Sequence, residues 1–558
     1  MRSRIGIGTA RAIAASIFAL VLAAHLGVAR GARVEPHEPL FDGIGKLHHP
    51  VSTESFLAQR YFDQGLRFLY AFNHDEAASS FREAVRQDPN LAMGYWGIAL
   101  ALGPNINLPE DNDRGRQAWQ AISKAKSLES GVSPAERDYI DALSARYVVS
   151  GAMSDAQQRA YADAMRKVWS RHPEDPDAGT LFAESLMDLH PWAFWSADGK
   201  PGPDTVEIVT TLDAVLAKHP DHTGANHYLI HSVEASANPA QALPSAQRLT
   251  ELAPAAGHLV HMPAHIYIRM GRYHDSARAN LAAIKADRAY LAERHPAGIY
   301  PTMYYPHNIH FLWASYLMMG NRKGATRAAR ELAGSVPAAE VKAMPEAEFI
   351  LPVRYFSEVR FAQWDAVMKE SAPPPEFAYT TAMWHYARGM ALAAQGHADA
   401  AAHEQQALDA IAAATPPDRM FETNSAKNLV EIASAILSGE RAARAGNGAR
   451  ATAELKRAVA MQDALGYTEP PSWYYPVRET LGYELLAQGN ADQAEAVFRE
   501  DLRRNPDNGW SLAGLVRSLR ATGKSAQADA VQARFKKAWA WADVKPDIGT
   551  PPEKTAAR

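Results

Sequence analysis

The chain has no cysteine among its 558 residues. That absence excludes disulfides, thiolate metal ligands, a cysteine nucleophile and acylation as a lipoprotein. Beyond the N-terminal stretch there is no apolar run long enough to cross a bilayer. A glycine-rich phosphate cradle, a dinucleotide fingerprint and a nucleophile elbow are all missing. The formal net charge is only -4, which gives no general pull toward nucleic acid or anionic membranes. Alternating runs of Val, Ile and Thr are scarce, which disfavours sheet. Hydrophobic residues make up 47%, enough for a sizeable core, and alanine is abundant throughout, which favours helix.

The first residues read as an export signal. Arg2, Arg4 and Arg11 precede an apolar run from Ala12 to Val28, and small residues follow at Gly27, Ala29 and Gly31. This suits a signal peptide over 1–31 and a periplasmic or secreted mature protein with no stable membrane span after cleavage. Arg30 and Arg33, just past the run, leave an uncleaved N-terminal anchor as the alternative. An extended N-terminal segment is expected over 32–57.

From Ala58 onward the sequence repeats with a period of about 34 residues. Tyr61, Gly65, Phe68, Ala77, Phe81, Ala84 and Pro89 fall at repeat positions 4, 8, 11, 20, 24, 27 and 32. Near the other end Leu481, Gly482, Leu485, Gly489, Ala494, Phe498 and Pro506 fall at positions 7, 8, 11, 15, 20, 24 and 32 of the same template. Weaker copies start near Ala92, Pro176, Thr223, Gly257, Pro306, Ala382 and Gly509. An insert runs from Pro191 to Asp204 and another from about Arg294 to Tyr305; Pro373–Pro375 and Pro416–Pro417 mark further breaks. The pattern resembles the tetratricopeptide repeat (TPR), in which small residues let paired helices approach and proline starts the next repeat. The segments FNHDEAASSFREA, YWGIALALGPNIN, ANHYLIHSVEAS, GHLVHMPAHIYIRMGRY and YYPHNIHFLW look like those of a bacterial family of such proteins, over most of Leu47 to about Gly334. The resemblance implies an all-α fold, a TPR superhelix or α-solenoid of antiparallel helix pairs. One solenoid segment is expected over 58–372, a second over 373–545, and a disordered tail over 546–558. The resemblance carries no reaction with it.

Nine of the 21 histidines crowd the stretch from His227 to His310. In this fold, as the resemblance implies, positions 2, 5, 9 and 12 of each first helix line the concave surface. Frames set by Pro220, Gly271 and Gly320 place His227, His231 and Glu234 at 5, 9 and 12 of one repeat. They place His258, His261 and His265 at 2, 5 and 9 of the next, and His307 and His310 at 2 and 5 of a third. Residues four apart on a helix share a face with Cβ atoms roughly 6 Å apart, and packed helices lie about 8–10 Å axis to axis. The imidazoles are therefore expected to converge, with Glu184, at position 9 of the repeat starting at Pro176, as a further carboxylate. The expected metal ligands are His227, His231, Glu234, His261, His265, His310 and Glu184, with His258 and His307 as additional candidates.

Imidazole with carboxylate and no thiolate suits a transition metal such as Zn, Fe or Cu, and the donors suffice for two ions. A metal-free groove whose histidines bind carboxylate or aromatic groups is the competing reading. HMPAH keeps only the outer histidines of a zincin motif; Met262 stands where the general base belongs, which disfavours a protease of that class. Trp192 and Trp195 in the first insert read as a lid or as loop packing, His385 as core, and His274 and His295 as surface. The leading functional reading is an exported repeat protein whose concave groove binds a peptide, protein or small-molecule ligand and carries the metal site. The alternatives are a periplasmic metalloenzyme, hydrolytic or oxidative, and a protein that sequesters or delivers metal.

Overall fold

Helix starts are written into the sequence as side chains that satisfy orphan N–H groups. Ser55 caps Phe56–Leu69 by accepting from the Ala58 N–H, and Asn73 caps His74–Gln87 by accepting from the Glu76 N–H. Ser133 with Glu136 and Ser154 with Gln157 form reciprocal capping boxes at the starts of Pro134–Ser144 and Asp155–Arg171. Gly489, at φ 80°, provides the left-handed turn between Val477–Ala487 and Ala491–Arg504 that a side chain would strain. These observations come from a computed structural model that describes residues 38–546.

The repeat period becomes packing through two phenylalanines. Phe81 lies against Gly65 and Gly97, where an added Cβ would come within 2.5 and 2.4 Å of its ring. Phe498 is held in the same way by Gly482 and Gly514, at 2.5 and 2.2 Å. In both places the two glycines stand sixteen residues before and after the phenylalanine. The same close approach of helices thus recurs at both ends of the chain. Consecutive helices pair, Phe56–Leu69 with His74–Gln87 and that helix with Ala92–Ala101 near one end, and Val477–Ala487 with Ala491–Arg504 and Gly509–Ala521 with Ser525–Ala538 near the other. Short connections make the partners antiparallel. The fold is all-α and of the tetratricopeptide type, with one two-residue hairpin, Met420–Phe421 and Asn424–Ser425, as its only named strands among the described residues.

The chain divides into two compact units. The first comprises residues up to Ile266 together with Lys285–His295; the second comprises Tyr267–Ile284 and everything from Pro296 on. Pro373–Pro375 falls inside the second unit, between the short helix Trp364–Val367 and Ala378–Ala394. In the first unit, residues 38–55 run without helix and are tied down by polar contacts. Tyr61 Oη donates to the Glu38 carbonyl at 2.5 Å, His48 Nδ1 meets Asp63 at 2.8 Å, and Ser52 Oγ donates to Glu136 at 2.5 Å. No helix among the described residues is long and apolar enough to cross a membrane. The expected signal peptide and nearly all of the expected tail lie outside the described residues.

Candidate metal centre

The helix Thr223–Val233 is buried along its whole length, so its polar side chains must find partners inside the protein. His222 caps it, its Nδ1 accepting from the Ala225 N–H at 3.0 Å. One turn in, His227 is fully buried and its Nδ1 lies 2.7 Å from the Tyr70 carbonyl oxygen. A carbonyl only accepts, so the proton sits on Nδ1 and the Nε2 lone pair is left pointing away from that contact. His231 places Nδ1 3.1 Å from Glu234 Oε1, which fixes its proton in the same way. Its Nε2 is buried with no hydrogen-bond partner.

The next histidines come from two short helices rather than one. Pro263 lacks an N–H, and the chain is divided at Met262 into Gly257–His261 and Pro263–Arg269. The break does not part the imidazoles: His261 Nε2 and His265 Nε2 are 2.7 Å apart. His265 Nδ1 lies 2.5 Å from Glu234 Oε2. His258 Nε2 lies 3.1 Å from His227 Nε2. Two nitrogens bound tetrahedrally at zinc–nitrogen distances of 2.0–2.1 Å would be separated by about 3.3 Å, close to that spacing.

The arrangement therefore has an order to it. The Tyr70 carbonyl and Glu234 Oε1 accept Nδ1 protons from His227 and His231, which leaves the Nε2 atoms of both imidazoles as lone pairs, and Glu234 Oε2 makes a charge-pair contact with His265 Nδ1. Glu234, expected as a metal ligand, contacts the Nδ1 atoms of His231 and His265, the position from which a carboxylate orients metal-bound histidines. Donor atoms of His227, His231 and His258 all lie within 4.8 Å of one another, as do those of His231, Glu234 and His265. Burial holds the His227 pKa well below the ordinary value, with the neighbouring His231 adding to the effect, and burial lowers His231 as well. Neutral imidazole is the ligating form. Burial opposes the charge on Glu234, but His265 and His231 outweigh it and hold the carboxyl below its usual range. A buried carboxylate beside imidazole nitrogens is an electrostatic setting in which a cation is stabilised.

Aromatic rings hold the cluster from outside. Phe72, in the turn between the first two helices, adopts φ 55°, a region a non-glycine residue occupies at a cost of about 1–2 kcal/mol. Its ring lies 4.5 Å from the His227 ring and stacks on His231 and His258 at 5.7 and 5.4 Å. Trp192, at φ 61°, sets its edge 5.5 Å from His231, and Trp195 Nε1 donates to the Ser232 carbonyl at 2.7 Å. The tryptophans of the first insert thus pack on the histidine helix. The repeat positions expected to line an open surface are buried instead: His227, His231, Glu234, His258, His261 and His265 are each at most 2% exposed.

Glu184 and His310, also expected as ligands, have other surroundings. Glu184 is buried beside Asp188, whose partner is the Arg146 guanidinium at 2.6 Å; burial first, and then the Asp188 charge, raise the Glu184 pKa well above normal and keep it neutral. His307 packs its ring 5.1 Å from Phe311 in the second unit. His310 stacks on Trp313 at 5.4 Å, and burial lowers its pKa to about 3. A further group, His49, Asp175 and Asp177, also has metal-like spacing. Its oxygens are already engaged: Asp177 accepts from Tyr70 Oη at 2.6 Å and pairs with His49 and His222 at 2.8 and 3.1 Å, while Asp175 accepts from Tyr139 Oη at 2.8 Å. It is an ion-pair latch for the N-terminal segment.

No protein-family model matches the chain, and no curated protein matches it in sequence. Solved helical structures are similar to it at low identity. A human IFIT1 dimer with m7Gppp-AAAA has a TM-score of 0.32 and 14% identity, covering 87% of this chain and 90% of its own. Yeast Tom70 has a TM-score of 0.25 and 13% identity, covering 86% and 90%. The P58(IPK) TPR domain has a TM-score of 0.21 and 11% identity, covering 84% and 99%.

Proposed function

We propose that the chain is an exported helical-repeat binding protein whose first unit holds a transition-metal ion through Nε2 of His227, His231 and His258. His261 and His265 supply a further pair of nitrogens, enough with the first set for a second ion. The observation that carries this reading is the proton bookkeeping at His227 and His231, where an acceptor at each Nδ1 leaves each Nε2 as a lone pair in a buried site, with His258 Nε2 3.1 Å from that of His227. Zinc, iron and copper all accept imidazole ligands, and the donor set excludes a preference for Mg or Ca. The repeat scaffold around the site is read as the surface for a peptide, protein or small-molecule partner. Export rests on the charged and apolar pattern of residues 1–31.

Elemental analysis of the untagged, metal-replete mature protein tests the reading. At least one equivalent of a transition metal is expected, and His227→Ala with His231→Ala should abolish it while helix content stays. Less than about 0.2 equivalents in the wild type would sink the site, because ligand sets of this kind retain their ion. A metalloenzyme reading gains ground only if the bound ion carries an exchangeable water, since three protein nitrogens leave a tetrahedral ion one open position.

A further inference from the structure

The second unit contains a cavity that the metal reading does not use. Its wall is aromatic, formed by Trp313, Phe349, Phe356, Tyr379, Phe421 and Tyr474. The rings brace one another: Tyr379 meets Phe421 edge-on at 4.7 Å, and Phe356 stacks on Tyr474 at 4.4 Å. His310, neutral because burial lowers its pKa, adds a seventh ring. The one carboxylate lining the space is Glu422, and no Lys or Arg lines it.

Glu422 owes its place to a strained turn. It follows Phe421 in the two-residue hairpin and takes φ 51°, a conformation that favours glycine. The residue as a whole is exposed, but its carboxyl is desolvated against the aromatic wall, which raises its pKa to about 7, so a cation entering the space would draw it into the ionised form. Arg419, the nearby cation on the same hairpin, stands 5.8 Å from the Phe421 ring centroid and is already paired with Glu348. It leaves the Glu422 charge uncompensated.

Ring faces carry negative potential, and a carboxylate beside them adds a formal negative charge. That combination recognises alkylated ammonium groups, whose methyls make apolar contact while the charge is spread over the rings. Size narrows the choice further. The empty space, mouth included, is about 430 Å³, but the centre of a water molecule can range over only about 20 Å³ of it. Such a space takes one compact head group, with the rest of the molecule leaving past Glu422. We infer that this aromatic cavity is a binding site for a methylated ammonium head group, with Glu422 as its counter-ion.

The test titrates the full chain with choline, with a short peptide carrying trimethyllysine, and with the uncharged choline isostere in which carbon replaces the quaternary nitrogen. Trp313 fluorescence and calorimetry report binding. Saturable binding of choline, or of the peptide, with the isostere at least about tenfold weaker is expected. The two cationic probes separate a free small cation from a side chain as the source. Glu422→Gln should weaken binding at least about tenfold. Phe349→Leu, at a half-buried wall position, should weaken it several-fold with helix content unchanged. Equal binding of the isostere, an unaffected Glu422→Gln variant, or no saturation by either cation up to about 10 mM would overturn the proposal. None of these outcomes depends on whether the first unit holds metal.

Discussion

Glu234→Gln offers a sharp perturbation of the metal centre because it changes one atom and one charge. In the wild type Oε1 accepts the His231 Nδ1 proton at 3.1 Å, and Oε2 makes a charge-pair contact with His265 Nδ1 at 2.5 Å. A glutamine has one acceptor oxygen, and its amide nitrogen only donates. One of the two imidazoles must then move its proton to Nε2, which removes that nitrogen as a ligand. The expected cost is about 10–100-fold in metal affinity, the range for losing an orienting carboxylate, or about 1.4–2.8 kcal/mol. Competition against a chromophoric chelator measures the affinity, circular dichroism checks that helix content is kept, and nitrogen-detected NMR of the imidazoles reports which tautomer has changed. An affinity within about twofold of wild type, with both tautomers unchanged, would refute the reasoning. A far larger loss would place a Glu234 oxygen on the ion itself.

Three other outcomes follow from the packing. Burial opposes charge on His49, yet Asp177 raises its pKa to about 9 against an ordinary 6.5. The stabilisation is therefore complete below pH 6.5 and lost as pH rises through about 9; roughly 3 kcal/mol should disappear across that window in urea titrations, and His49→Gln should flatten the profile. Equal pH slopes for both proteins would remove the latch from the account. Gly65→Ala and Gly482→Ala each drive a methyl into a phenylalanine ring at 2.5 Å, and each should lower stability by about 1–3 kcal/mol by calorimetry; no shift in either would break the equivalence of the two repeats. Phe72→Ala empties a ring site against three imidazoles and should cost about 3–5 kcal/mol, a prediction contradicted by an unchanged melting profile.

The repeat architecture was legible because it is periodic. Glycine and phenylalanine at positions 8 and 24 announce a close helix approach wherever they recur, and Phe81 and Phe498 show the contact in three dimensions. The histidine rows were legible for the same reason: spacing of four puts His227 and His231 on one face. The order within the cluster was not. It depends on the Tyr70 carbonyl, a backbone atom that any residue would provide, and on Phe72, whose left-handed conformation no local propensity indicates. Glu184 shows the limit of register as a guide. It stands at the expected position, but Asp188 and Arg146 form a buried charged group beside it that sequence spacing alone does not display.

The most direct test of the central claim is an anomalous-scattering map of crystals of the metal-loaded protein. The account predicts a peak about 2.0–2.1 Å from Nε2 of His227, His231 and His258, with Glu234 still bridging the Nδ1 atoms of His231 and His265. A peak bound through Nδ1, a peak on other residues, or no peak in protein that has been given metal would contradict it.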